Sequence, residues 1–234
     1  MQESGNHPTQ RRVRHDKGTV LITDRDWDVL AWIAEQYAVR LDHVCILLGQ
    51  QAGKGAKAPD RISENAARQV LVRWQRAGWA ASRKILVAEP AWVWASTKGL
   101  HELGYDFKLY APTLARIDHL HAINEIRLLL ARDHPESRWI SERQLRATLS
   151  YEKGASLPHL PDGALRTPQG MVAIEVELTP KKRSEVRLIL LDVLRRYHAV
   201  WYFASETAAS IVNAARKELE PALAERVTIM RSNS

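Results

Sequence analysis

Apolar residues recur at helical spacing soon after the start of the chain. Trp27, Leu30, Ala31, Ala34 and Tyr37 share one face, and Thr23-Asp24 stands where a helix cap belongs. A second, shorter helix is predicted from about Leu41 to Leu48, with Val44, Cys45 and Leu48 inward and Gly49 as its stop. The third begins at Ser63, runs to about Ala77, and turns Ala67, Val70, Leu71 and Trp74 inward before Gly78 ends it. Two short alternating segments follow, Ala80–Val87 and Ala91–Ala95, turning at Glu89-Pro90. Thr97-Lys98-Gly99-Leu100 opens a last short helix that ends near Gly104.

After a stretch containing Pro112 the pattern changes. Ile117–Ala131 reads as a strongly apolar helix on which Asp118, His121 and Glu125, three and four residues apart, share one face. A strand around Arg138–Glu142 precedes an irregular stretch. Leu160–Gly163 and Val172–Leu178 then read as neighbouring strands. Thr179-Pro180 caps an amphipathic helix with Val186, Ile189, Leu190, Val193, Leu194 and Tyr197 inward. Ala199–Ala204 is a buried strand, Thr207–Leu219 a helix and Val227–Met230 a terminal strand. This order predicts an α/β (α+β) chain with a layered sheet in its second half. The divisions expected are a basic arm over residues 1–18, a helical and ribbon domain over 19–108, a linker over 109–116 and a sheet domain over 117–234.

A chain of 234 residues accommodates one large or two small domains. No apolar run approaches the roughly 18 residues of a membrane span, and the first residues lack the apolar centre of a secretory signal. Cys45 is the only cysteine, so neither an internal disulfide nor a cysteine zinc site is available. The expected location is the cytoplasm. The net charge of +7 is uneven: residues 1–116 hold 17 Lys/Arg against 12 Asp/Glu, and residues 117–234 hold 17 against 15. Within Gln50–Ala88, eight basic residues face two acidic ones, the footprint of a polyanion-binding surface.

Three helices, a two-stranded ribbon and a closing helix describe a winged helix-turn-helix. In that arrangement the third helix enters the major groove. Its outer stripe holds Asn65, Arg68, Gln69, Val72, Arg73 and Arg76, whose polar members are side-chain types that read adenine and guanine edges. Arg83 and Lys84 fall in or near the wing, within reach of phosphates. The alternative is a solvated face used for protein contacts. The connection Gln50–Asp60 is long for a compact motif; it displaces the third helix or supplies Lys54 and Lys57 to the DNA backbone.

In Val172–Leu178, strand alternation turns Val172, Ile174, Val176 and Leu178 one way and Ala173, Glu175 and Glu177 the other. The two glutamates then lie roughly 6.5–7 Å apart at Cα. Two acids on one face of an apolar strand need positive compensation if buried, and a divalent metal with Asp162 as a further oxygen ligand would supply it. If that face meets solvent, the acids need nothing.

Helix-borne Glu125, then Pro161-Asp162, then Glu175-x-Glu177 resembles the PD-(D/E)XK nuclease fold. With the helices before it, the chain resembles the replication-relaxation family of plasmid and integrative-element proteins. The resemblance covers roughly residues 22–232 and rests on Thr23, His119–Leu130, Pro161-Asp162-Gly163 and Ile174–Thr179. It implies a restriction-endonuclease-like α/β sheet domain, a role in plasmid mobilisation or replication, and double-stranded DNA as partner. A relaxase or replication protein would be a further partner. The signature ends in Lys, where this chain has Glu177; Lys181 or Lys182 is placed to return the missing charge. On the catalytic reading, Asp162 and Glu175 hold Mg²⁺, Glu177 is general base or second-metal ligand, and Glu125 acts through water.

Other chemistries lack their residues. Gly53-Lys54-Gly55 leads to no phosphate-loop Lys-Ser/Thr, no serine elbow occurs, and Cys45 reads as core. His119 and His121, two apart on a helix, are wrongly spaced to share one metal. Three functions are weighed: a metal-dependent endonuclease or nickase targeted by the winged helix, a non-catalytic DNA-binding regulator or accessory factor, and a protein-interaction module. A symmetric homodimer is compatible with the first two.

Overall fold

The computed structural model describes residues 22–50, 60–149 and 158–231. The basic arm over residues 1–18 and the connection with Lys54 and Lys57 lie outside the described residues.

The first half contains α1 (Asp24–Glu35), β1 (Val39–Arg40), α2 (Leu41–Gln50), α3 (Glu64–Arg76), β2 (Ala80–Arg83), β3 (Trp92–Ala95) and α4 (Thr97–Glu102). The strands form an antiparallel sheet in the order β1-β3-β2. Leu30, Ile33, Val44, Leu48, Val70, Leu71 and Trp74 fill the core between the helices, with Cys45 among them. Thr23 caps α1 reciprocally: its hydroxyl accepts from Asp26 N–H, and the Asp26 carboxylate accepts from Thr23 N–H at 2.8 Å. Asp26 is fully buried and also receives Arg73 from α3, at 2.7 and 2.8 Å, which ties α3 to the first turn of α1.

Three expected boundaries move. β2 ends at Arg83 rather than Val87. α1 ends at Glu35, and Tyr37 turns the chain at a left-handed φ of 69° instead of continuing the helical stripe. That conformation is strained for a bulky residue. It is held by a Tyr37 hydroxyl bond to Glu142 (3.0 Å) and by the Arg143 guanidinium over the ring. Gly49, the expected stop, lies buried inside α2.

The second half contains α5 (Ile117–Asp133), β4 (Arg138–Ser141), α6 (Glu142–Ala147), β5 (Gly163–Thr167), β6 (Gly170–Glu177), α7 (Arg183–Leu194), β7 (Ala199–Ala204), α8 (Glu206–Lys217), α9 (Pro221–Ala224) and β8 (Val227–Arg231). Its sheet runs β4-β5-β6-β7-β8, antiparallel through β6 and parallel from β6 to β8. The chain is therefore a mixed α/β protein. Alternation along β6 sends Val172, Ile174 and Val176 toward Ala122, Ile123, Ile126 and Leu130 of α5. Ala173, with Val200 and Tyr202 of β7, faces Val186, Leu190 and Val193 of α7 and Val212 of α8. Helix α7 starts at Arg183, later than the expected Thr179-Pro180.

α5 reads as apolar on more than one side because it is buried on two faces. Its second face meets the first half, where Ile117 and Leu120 pack with Ala38 and Trp92. Asn124 donates to the Ala38 carbonyl (2.9 Å) and accepts from Gln36 (3.3 Å). Arg127 pairs with Glu35 at 2.6 Å and lies over the Trp32 ring. Arg143 of α6 donates to the Ala34 carbonyl at 2.6 Å. Two residues of the stretch expected as a linker pack against the first half. Tyr110 meets the Tyr37 ring edge-on, and the carbonyl of buried Pro112 accepts from Arg83 at 3.1 Å. No helix of the described residues is long and apolar enough to cross a membrane.

Glu35 is the hub of this seam, accepting from Arg127, Tyr105 and Gln144. Glu35→Ala strands the buried Arg127 guanidinium and should cost about 3 kcal/mol, read from urea unfolding. A loss below about 0.5 kcal/mol would show that the seam contributes only as a surface pair does.

Candidate functional site

Pro161 is buried and has no N–H to extend a ladder, and β5 begins two residues later with Gly163 opposite Ile174. Beyond that pair, the Val176 N–H on the β5 side has no strand to meet. The Asp162 carboxylate takes it at 2.8 Å. Gly163 matters here because a Cβ would lie 2.3 Å from the Trp139 ring. Asp162 is thus fixed at the end of β6, beside the face that carries Glu175 and Glu177.

Both glutamates are buried, at 4% and 5% exposure, so the solvent-facing alternative does not hold. Positive groups compensate them. His159 Nε2 lies 2.9 Å from Glu175 Oε1, and Lys181 pairs with Glu177. The Tyr202 hydroxyl donates to Glu177 at 3.4 Å. The other Asp162 oxygen lies 2.9 Å from His119 Nε2. Three acids, two imidazoles and one ammonium therefore meet where β6 ends.

Burial pushes the Glu175 carboxyl up to about 7; the Asp162 charge adds to the rise, while His159 and Lys181 oppose it. The Glu175 contact raises His159 against the effect of its burial. For His119, burial disfavours the cation, but the bond to Asp162 and its charge carry the value upward. Burial likewise works against the Lys181 ammonium, and the Glu177, Glu175 and Asp162 carboxylates outweigh it. Tyr202 is raised by burial and by the same acids, so it stays a neutral donor.

Glu125 belongs elsewhere. It lies six residues beyond His119 on α5, about 120° around the helix and 9 Å along it. Its carboxylate meets His43 Nε2 at 2.5 Å rather than the Asp162 group. His43, His121 and Glu125 each offer a donor atom within 4.8 Å of the others, and they form a group that could hold a metal ion. Among the described residues, no other set of three His, Cys, Asp or Glu donors comes so close. Asp162 and Glu175, the residues expected to hold Mg²⁺, are not part of that group.

On α3, Asn65, Gln69 and Arg76 are exposed. Arg68 is exposed but paired with Glu64 on its own helix. Arg73 is a correction to the outer stripe: it is committed to buried Asp26 and acts as an internal strut. Lys84 is exposed, and Arg83 spends one donor on Pro112.

His159 and Tyr202 carried no expectation, and His119, weighed only as a metal ligand with His121, proves instead to be the partner of Asp162. His159 could have been found from its position three residues before Asp162. Tyr202 had no signal, since only the parallel register sets it opposite Glu175. No family model, no curated protein and no solved structure matched this chain.

The raised Glu175 predicts a pH dependence in chelator-containing buffer. The native state holds this proton while the unfolded chain releases it near 4.5, so the stability contributed is complete below about 4.5 and is lost as pH rises through 7. Glu175→Gln removes that loss. Relative to the parent, the variant should gain about 3 kcal/mol between pH 4.5 and 8 in urea unfolding. Parallel stability curves for the two proteins would contradict the assignment.

The Arg73 strut gives a second expectation. Arg73→Ala leaves a buried carboxylate without its cation and should lower stability by about 3 kcal/mol, whereas Arg76→Ala should change it by less than about 0.5. Thermal unfolding of the two variants separates them.

Proposed function

We propose that this chain is a DNA-binding protein of a mobile element whose second half carries a divergent, Mg²⁺-dependent DNA endonuclease or nickase site. What carries the reading is the meeting of Asp162, Glu175 and Glu177 with Lys181 at one end of β6. The element order α5-β4-β5-β6-α7-β7, antiparallel through β6 and then parallel, supports a PD-(D/E)XK core. The order α1-α2-α3-β2-β3-α4 supports a winged helix-turn-helix, with α3 as the groove reader and Asn65, Gln69 and Arg76 as its free polar side chains.

Bound at Asp162 and Glu175, Mg²⁺ would supply an ionisable water and counter-charge for a scissile phosphate. The chain's own residues do the rest. Lys181 neutralises Glu177, so an acid at the usual lysine position does not repel the phosphate. His159, released from Glu175 and only partly buried, is a proton donor for the departing oxygen. His119 orients Asp162 through one oxygen while the Val176 amide holds the other.

A second reading, a non-catalytic DNA-binding regulator or accessory factor, draws on the same site. Glu177 replaces the signature lysine, and Asp162, Glu175 and Glu177 each already have internal partners. An enzyme active on DNA should nick or cut supercoiled plasmid with Mg²⁺ or Mn²⁺, and Asp162→Ala should abolish cleavage while binding persists. DNA affinity should fall with salt at a log–log slope of roughly −5, for about six neutralised phosphates. Arg76→Ala should make that slope shallower by about one. No cleavage of a broad substrate panel with any divalent ion, alongside salt-dependent binding, leaves the regulator. Affinity indifferent to salt and to Arg76→Ala removes DNA as the partner and leaves a protein such as a relaxase or replication factor.

A further inference from the structure

His43 is fully buried in α2, yet only one of its ring nitrogens has a partner. Among the described residues, its Nδ1 and that of His121 are both buried without a hydrogen-bond partner. Buried imidazoles ordinarily satisfy both nitrogens, so two unpartnered nitrogens on neighbouring rings call for a group that the described residues do not supply. The two rings stack with centroids 5.0 Å apart, and Glu125 closes the cluster against His43 at 2.5 Å.

His121 and Glu125 stand four residues apart on α5, the spacing that turns two side chains to one face of a helix. His43 meets them from α2, 82 residues before Glu125. One donor atom from each residue already lies within 4.8 Å of the others. A tetrahedral ion bound at about 2.0–2.1 Å wants donors about 3.3 Å apart, a closure that side-chain rotation supplies. Two imidazoles and one carboxylate suit zinc-class ions, whereas Mg²⁺ prefers an all-oxygen shell. Arg40 lies 3.5 Å from His121 Nε2, but its charge is offset by two bonds to Asp42. Glu125 is 54% exposed, so the solvent side leaves room for a fourth ligand.

We propose that His43, His121 and Glu125 form a binding site for a zinc-class divalent ion that clamps α2 of the first half onto α5 of the second. The site is separate from the Asp162 group and does not depend on the nuclease reading. Its effect is conformational: binding to the folded chain alone stabilises it in proportion to occupancy, and bridging two halves fixes their relative position.

The test uses the full chain, stripped with a chelator and dialysed, then titrated with Zn²⁺ by calorimetry and with Co²⁺ by visible absorption. The expected result is one equivalent bound, a cobalt d–d spectrum with nitrogen donors, and a Tm raised by about 5–10 °C at saturating Zn²⁺. His121→Ala should abolish binding. Glu125→Gln, at an exposed position that folding tolerates, should weaken it at least as much as the about 10–100-fold that losing an outer partner costs. Asp162→Ala should leave stoichiometry and spectrum unchanged. Absence of Zn²⁺ binding, binding that survives both His121→Ala and Glu125→Gln, or binding lost in Asp162→Ala would each overturn the proposal.

Discussion

The burial of Arg127 against Glu35 and the Trp32 ring is the constraint on which the rest of this structure depends. A guanidinium largely removed from water is tolerable only if its carboxylate is held in place, and Tyr105 and Gln144 both donate to Glu35. The seam therefore admits one relative placement of α1 and α5. Asn124 and Gln36 extend it with neutral hydrogen bonds that a slipped helix would break. Apolar packing of Ile117 and Leu120 supplies the favourable area, but apolar surfaces slide, and the polar groups set the register.

Because α5 is locked, it delivers two different sets of side chains to two places. His119 reaches Asp162 at the end of β6, while His121 and Glu125 reach His43 on α2. One helix thus links the carboxylate site to the first half, and a shift of α5 would disturb both clusters. In the carboxylate site, the sheet determines which acids meet. Asp162 is held by an amide and an imidazole, and burial drives the Glu175 carboxyl upward. Glu177 differs again, because Lys181 arrives four residues later, from the turn before α7, to pair with it.

Most helices and four of the five strands of the second sheet were legible because their patterns are local, whereas the strand expected over Leu160–Gly163 lies over Gly163–Thr167. The stripe of Ala67, Val70, Leu71 and Trp74 matches the buried face of α3, and Ala199–Ala204 is a strand from end to end. The misses have physical causes. α6 is six residues long, and its cap, Ser141 with Gln144, sits at the very end of β4, so strand and helix signals overlap. β1 has two residues, too few for a period to appear. Tyr37 looked like a further turn of α1 because its spacing is helical, yet contacts with Glu142 and Arg143 pull it into a left-handed turn. Arg73 looked free because nothing in its own helix reveals a buried aspartate 47 residues earlier.

From its order of residues alone, the chain determined a mixed α/β composition, the alternation that puts Glu175 and Glu177 on one face, and a basic bias around α3. Those follow from periods of 3.6 and 2 and from charge counting, which need no partner. Only the folded arrangement decided which cation meets which acid: His119 at Asp162, His159 at Glu175, Lys181 at Glu177, and Glu125 turned away to His43. Such pairings depend on strand register and helix rotation. A change of one residue in either reverses a face or turns a side chain by about 100°, and local spacing does not carry that information across 82 residues.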